Sequence, residues 1–153
     1  MAVIKYEDIV KVRHCDPGGA HTETLWARQM DTNLYQLENS PFFAYGVSWQ
    51  DVIEARLGDD HVLEYVRCVK KSGNRTVRVI FQDYRSTDPG AEEVLLGLRN
   101  LGCSYEGMQP RMISVNVPSR VDLRVVTDFL KQQFGLQWEY ADPTYDQVTS
   151  RVN

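Results

Sequence analysis

Residues 86–102 read STDPGAEEVLLGLRNLG, and at this stretch the chain changes from a period of two to a period near 3.6. Asp88 stands where an N-cap stands, and Pro89 suits the first helical position because its missing amide would have no partner there. Glu92 and Glu93 complement the positive end of the helix dipole. Ala91, Val94, Leu95, Leu98 and Leu101 recur at intervals of one, three and four, which draws a single apolar stripe. Gly102 then ends the helix. Such a stripe requires an apolar surface to lie on, so the flanking segments are read as its sheet.

Upstream, TVRVIF at residues 76–81 places Val77, Val79 and Phe81 on one face of a strand. Downstream, CSYEG is a short strand and RMISVNV a firmer one. VDLRVVTDFLKQQFG follows as a second helix, with Asp122 as its cap and Gly135 as its close. Its apolar face is read as Leu123, Val126, Leu130 and Phe134, with Val125 and Phe129 alongside. LQWEYAD is the last strand. Strand, helix, strand, strand, helix, strand is the order of a ferredoxin-like unit. Right-handed crossovers would put both helices on one face of the sheet. The other face is then free unless the N-terminal half or a second copy of the chain covers it.

The N-terminal half reads as short strands without a helix. IVKVRHC alternates, DPGG at residues 16–19 is a turn, and TETLWARQM and LYQLEN flank a hairpin loop at DTN. DVIEARL, a turn at GDD, VLEYVRCVKK and a turn at SGN follow. In VLEYVRCVKK, Val62, Glu64, Val66 and Cys68 oppose Leu63, Tyr65, Arg67 and Val69. Five such strands predict a small curved antiparallel sheet or a partly open β-barrel. The fold class expected is therefore α+β. Residues 1–73 form a β subdomain packed on a ferredoxin-like subdomain at 74–142, and 143–153 form a tail where order is not expected. KKSGNRT is too short for a linker, so one rigid body is expected.

The 153 residues carry 42% hydrophobic and 25% charged side chains, ordinary for a globular protein. The net charge is −4, with 8 Lys+Arg against 11 Asp+Glu in residues 1–73 and 9 against 10 in the rest. Neither half has the basic footprint that nucleic-acid binding needs. Cys15, Cys68 and Cys103 are odd in number and far apart, which suits a reducing cytoplasm rather than a disulfide framework. No signal peptide or membrane-spanning run is read in the sequence.

No catalytic motif stands out, and no cofactor fingerprint is present. His14, Asp16 and His21 offer two imidazoles and a carboxylate, a weak candidate for a metal site without motif spacing. Cys15 beside His14 points to the opposite face of a strand, which denies it that base. Cys68 reads as a core residue. Cys103 follows a helix carboxyl end, which raises a thiol pKa and works against reactivity. The helix start at Asp88 is ringed by acids and repels phosphate. MISVNV has neither an aromatic nor a basic residue, so the base-stacking platform of RNA-recognition sheets is missing.

Two features point to a protein partner instead. Asp59 and Asp60 sit at a turn with Glu54 and Glu64 in the flanking strands, a cluster that could mimic phosphates and occupy a basic active site. NSPFFAYGVSWQDVIEAR, residues 39–56, crowds Phe42, Phe43, Tyr45 and Trp49 together. It is read as a core corner or a binding surface, and the exposure of Phe43, Tyr45 and Trp49 separates the two.

The chain resembles a bacterial family known as domain of unknown function 4265. The resemblance runs from Ile9 to about Asp142 and rests on Glu23-x-x-Trp26-Ala27, Asn39-x-Pro41-Phe42-Phe43, Gly46, Asp51-Val52, Ser72-Gly73 and the arginine-bearing strand at 76–81. It continues through GLRNLGCSYE, PRMISVNVP, VDLRVVTDFL and WEY. It departs at Gln50, where a glycine before the aspartate is usual, which bears on the geometry of that turn. The resemblance implies a compact bacterial cytosolic protein and carries no catalytic residue across.

The function expected is non-catalytic protein binding, as an immunity or antitoxin protein that occludes a toxin's active site. The partner surface expected is Asp59, Asp60, Glu64, Phe43, Tyr45 and Trp49, with no nucleic acid, no membrane and no cofactor. A small-molecule-binding regulatory domain is the second reading, and a metal-dependent enzyme the third. A homodimer is one way to cover the free sheet face.

Overall fold

Alternating burial turns the N-terminal half into five strands. The structure is a computed structural model and describes residues 9–16 and 21–150. The strands are β1 (Ile9–Cys15), β2 (Thr22–Asp31), β3 (Leu34–Leu37), β4 (Val52–Leu57) and β5 (Leu63–Lys70). Each pairs antiparallel with the next. β1 and β5 then meet in parallel, Val12 opposite Leu63 and Arg13 opposite Glu64, and close a barrel. The sheet is therefore neither wholly antiparallel nor partly open. Bulges after Gln29 and Glu54 add the twist that lets so few strands close, and closure removes both sheet edges. Of the turn expected at DPGG, residues 16–19, residues 17–19 lie outside the described residues.

The bulge opposite Glu54–Ala55 also changes a sequence expectation. Ala55 pairs with Tyr65 and Glu54 with Arg67, so Val66 is the extra residue. The alternation slips there, and Cys68 joins Leu63 and Tyr65 against the barrel core of Val12, Leu25, Ala27, Tyr35, Leu37, Ile53 and Ala55.

The C-terminal half contributes β6 (Arg75–Phe81), α1 (Pro89–Asn100), β7 (Ser104–Gln109), β8 (Met112–Val117), α2 (Leu123–Lys131), β9 (Leu136–Asp142) and α3 (Tyr145–Ser150). Its four strands form an antiparallel sheet in the order β7-β8-β6-β9. Val77, Val79, Phe81, Ile113, Val115 and Val117 share one core with Ala91, Val94 and Leu98 of α1 and Val126 and Leu130 of α2. Gly97 of α1 receives the ring of Phe129. A Cβ there would stand 2.2 Å from the ring, so only glycine permits this approach.

Three expectations are corrected. Asp88 precedes α1 as read, but its carboxylate accepts the Arg85 amide and makes no helix-capping bond; Asp122 does cap α2, accepting from Arg124. Phe134 lies beyond the end of α2 and is 89% exposed, so it is no part of the core stripe. The segment after Pro143 carries a helix. Thr144 and Gln147 exchange side-chain and backbone hydrogen bonds at 2.8 and 3.3 Å, a capping box spelled TYDQ.

Candidate functional site

The sheet face opposite α1 and α2 is polar. Thr76 and Arg78 of β6, Ser114 and Asn116 of β8, Glu106 of β7 and Glu139 of β9 alternate with the residues of the helix-side core. One segment, residues 38–50, crosses this face. It leaves and returns to the barrel at one point, where Leu37 donates to Asp51 O and Gln50 donates to Leu37 O, each at 2.9 Å. Ser40 N donates to Glu106, Ser114 Oγ to Pro41 O, Arg78 Nη1 to Ala44 O and Gly46 N to Ala141 O. The strap thus touches β7, β8, β6 and β9 in turn. Its small residues Ala44 and Val47 join the barrel core. Glu23 of β2, itself buried, accepts the amides of Phe42, Phe43 and Ala44 at 2.5 to 3.0 Å. Backbone amides cannot stay buried unpaired, and a carboxylate is the strongest acceptor for them.

The far end of the strap is locked by charge. Lys71 Nζ reaches Asp51 at 2.5 Å, Asp142 at 2.6 Å and Gly46 O at 3.0 Å. Ser48 Oγ donates to Asp142 and lies 2.6 Å from Thr76 Oγ1. A serine, a lysine and a carboxylate invite a nucleophilic reading, but Ser48 and Asp51 have no exposed surface. Partial burial pulls the Lys71 ammonium down, yet its hydrogen bonds to Asp142 and Asp51 outweigh this and hold its pKa above the ordinary value. A lysine held protonated is not a general base. The cluster joins the barrel, the strap and β9 as an ion-pair lock.

Arg78 is the largest fully buried side chain among the described residues. It donates to Glu139 at 3.0 Å and lies 4.5 Å from the centroid of the Tyr45 ring. Tyr45 Oη donates to the same Glu139 carboxylate, and burial followed by this contact raises the phenol pKa. Beyond Tyr45 opens a groove of about 870 Å³ lined by Trp138, Glu139 and Tyr140 of β9, Tyr145, Asp146, Val148 and Thr149 of α3, with Thr144 and Lys131. The Trp138 and Tyr140 rings meet edge to face at 5.0 Å. Among the described residues, β9 pairs with no strand but β6, so it is an end strand of its sheet.

The residues singled out from sequence are dispersed. His14 is buried on Tyr65, with ring centroids 4.5 Å apart, and burial lowers its pKa against the pull of Glu23 and Asp16. His21 stacks on Phe43 at 5.4 Å. Among the described residues, no three His, Cys, Asp or Glu side chains stand together as metal ligands. The acidic turn is partly compensated from within the chain. Arg13 pairs with both Asp60 and Glu64, which lowers the Asp60 pKa, and Arg56 and Arg67 pair with Glu54. Asp59 is exposed. Phe43 and Trp49 are half-buried, and Tyr45 alone of the three is exposed. Cys103 is buried, which pushes its thiol up to about 11. Burial also raises the Cys68 thiol, and the neighbouring Asp51 adds to it.

Sequence reasoning missed Trp138, Tyr140 and Tyr145. The available signals were the alternating aromatics of LQWEYAD and the capping box of TYDQ, which together set a helix beside an aromatic end strand.

A five-stranded barrel and a four-stranded sheet with few helices define a mixed α+β protein. The chain belongs to the family described as domain of unknown function (DUF4265), which it matches over residues 23–140. None of the curated proteins matches it. A hypothetical protein from Neisseria gonorrhoeae, known from its crystal structure, is similar with a TM-score of 0.74 and 18% identity, over 90% of this chain and 96% of that one. That likeness establishes the fold. Among the described residues, no helix is long and apolar enough to cross a membrane.

Proposed function

We propose that the chain is a non-catalytic binding protein that neutralises a protein partner, such as a secreted bacterial toxin, by covering it. The observation that carries this reading is the groove where Tyr45, Trp138, Tyr140 and Tyr145 gather beside an end strand. Aromatic anchors with a wet polar tip are favoured at protein interfaces. The contact surface is placed at this groove rather than at the acidic turn, because Asp60 and Glu64 share Arg13 within the chain and the turn gathers no aromatic anchors. Of the aromatics named from sequence, Tyr45 is retained.

Related parts of the reading have their own support. The order β7-β8-β6-β9, with α1 joining β6 to β7 and α2 joining β8 to β9, favours a ferredoxin-like C-terminal unit. The strap occupies the face that RNA-recognition sheets use, which favours a partner other than nucleic acid. It also leaves that face no need of a second copy. Three free cysteines suit a reducing cytoplasm.

The test is co-elution of the purified chain with the secreted proteins encoded beside it. A stoichiometric complex that weakens in Tyr145→Ala is expected. Failure of every such protein to co-elute at micromolar concentration would remove the reading. The second reading, a small-molecule regulatory domain, is favoured by the groove volume, which lies in the range of ligand pockets. A metabolite screen by thermal shift would then give a rise in Tm that Tyr145→Ala abolishes.

A further inference from the structure

We infer that the groove along β9 accepts a basic, extended segment of the partner, seating an arginine or lysine side chain among its aromatic rings. This rests on the reading of the groove as a protein-contact surface. Three observations carry it. The walls are Tyr45, Trp138, Tyr140 and Tyr145, whose ring faces attract cations. One wall already does so, since Tyr45 lies over the Arg78 guanidinium while nearly half of its surface stays open. The groove wall also carries Asp146, which is in no ion pair among the described residues, and Glu139, which is 47% exposed although paired with the buried Arg78; its one lining cation, Lys131, has Asp128 at 3.9 Å, in a chain of net charge −4. β9 itself is an end strand, and an end strand offers unpaired amides and carbonyls to an incoming extended chain. Apolar walls would take any hydrophobic segment; the carboxylates and ring faces favour a positive one.

The probes are an acetylated peptide alternating valine and arginine, its glutamate-for-arginine counterpart, and arginine amide alone. Binding to the full chain is read by amide and indole shifts in proton–nitrogen NMR spectra. The arginine peptide is expected to shift residues 137–140 and the Trp138 indole, and to bind less tightly as salt rises. Tyr145→Ala and Asp146→Asn, both on the exposed short helix, should each weaken it roughly threefold. Equal binding of the glutamate peptide, shifts centred on residues 59–64, or equal affinity for arginine amide would each overturn the inference. If the arginine peptide fails while a partner protein co-elutes and protects β9, the basic segment is wrong and the binding-protein reading stands. If no partner co-elutes, that reading falls regardless of the peptide.

Discussion

Glu23 holds Ala44: the carboxylate on β2 accepts the Ala44 amide at 2.9 Å while also accepting those of Phe42 and Phe43. One buried side chain thus fixes the middle of the strap. Glu23→Gln keeps the shape but turns one acceptor into a donor facing a donor. It should cost about 1–3 kcal/mol, the range for leaving buried groups unsatisfied. Hydrogen exchange should speed up at residues 42–44. Unchanged exchange there would mean that the strap is held by its other contacts alone.

Arg78 and Glu139 are unequal partners. The arginine side chain is 1% exposed and the glutamate 47%. Glu139→Gln leaves a buried cation without its counter-charge, whereas Arg78→Met leaves a carboxylate that water can reach. Glu139→Gln is therefore expected to destabilise the chain more than Arg78→Met, although it changes far fewer atoms. Urea denaturation of both variants measures this, and the reverse order would disprove it.

Lys71 bridges two carboxylates, so its loss should move the pH response of stability from alkaline pH to the range between about 5 and 8. In the parent chain its pKa is raised on folding, so the stability it supplies is present below the ordinary lysine value of 10.5 and is lost as pH rises through the folded value. In Lys71→Met, Asp51 and Asp142 face each other without a cation, and one must hold a proton. That carboxyl then has a raised pKa, and the variant should gain stability relative to the parent as pH falls from 8 towards about 5. A constant difference across that interval would show that the two carboxylates do not interact.

Gln50 adopts φ 68°, the left-handed region that favours glycine. Its side chain accepts from Asn74 at 3.3 Å, a long contact. Gln50→Gly should relieve the strain and stabilise the chain by about 0.5 kcal/mol, after the entropy of the added glycine is set against it. A clear loss of stability would show that the Asn74 contact outweighs the backbone strain.

Gln50 is also the position where the chain departs from the family pattern it otherwise resembles. The departure from the usual glycine put the geometry of that turn in question, and the chain keeps a left-handed residue there all the same. The helices and strands were legible from their spacing. Val77, Val79 and Phe81, or Ala91, Val94 and Leu98, repeat with the period of their own element. The failures fall where period is not the controlling signal. A bulge at Val66 moved Cys68 to the inner face, and an Arg85 amide took the Asp88 carboxylate away from the helix it precedes.

By itself, the sequence determined the order of the nine strands and of the first two helices, the apolar face that Val77, Val79 and Phe81 turn to them, and the family. Hydrophobic spacing is a local property and survives in any window of the chain. Tertiary structure alone decided what covers the polar face and where a groove opens. The strap is held mainly through its amides and carbonyls, which have no signature in a list of side chains. Tyr45 and Tyr145 line one groove only because Gly46 bonds Ala141 and a capping box turns the chain back after Pro143. Whether a buried polar group finds a partner depends on which distant segment arrives beside it.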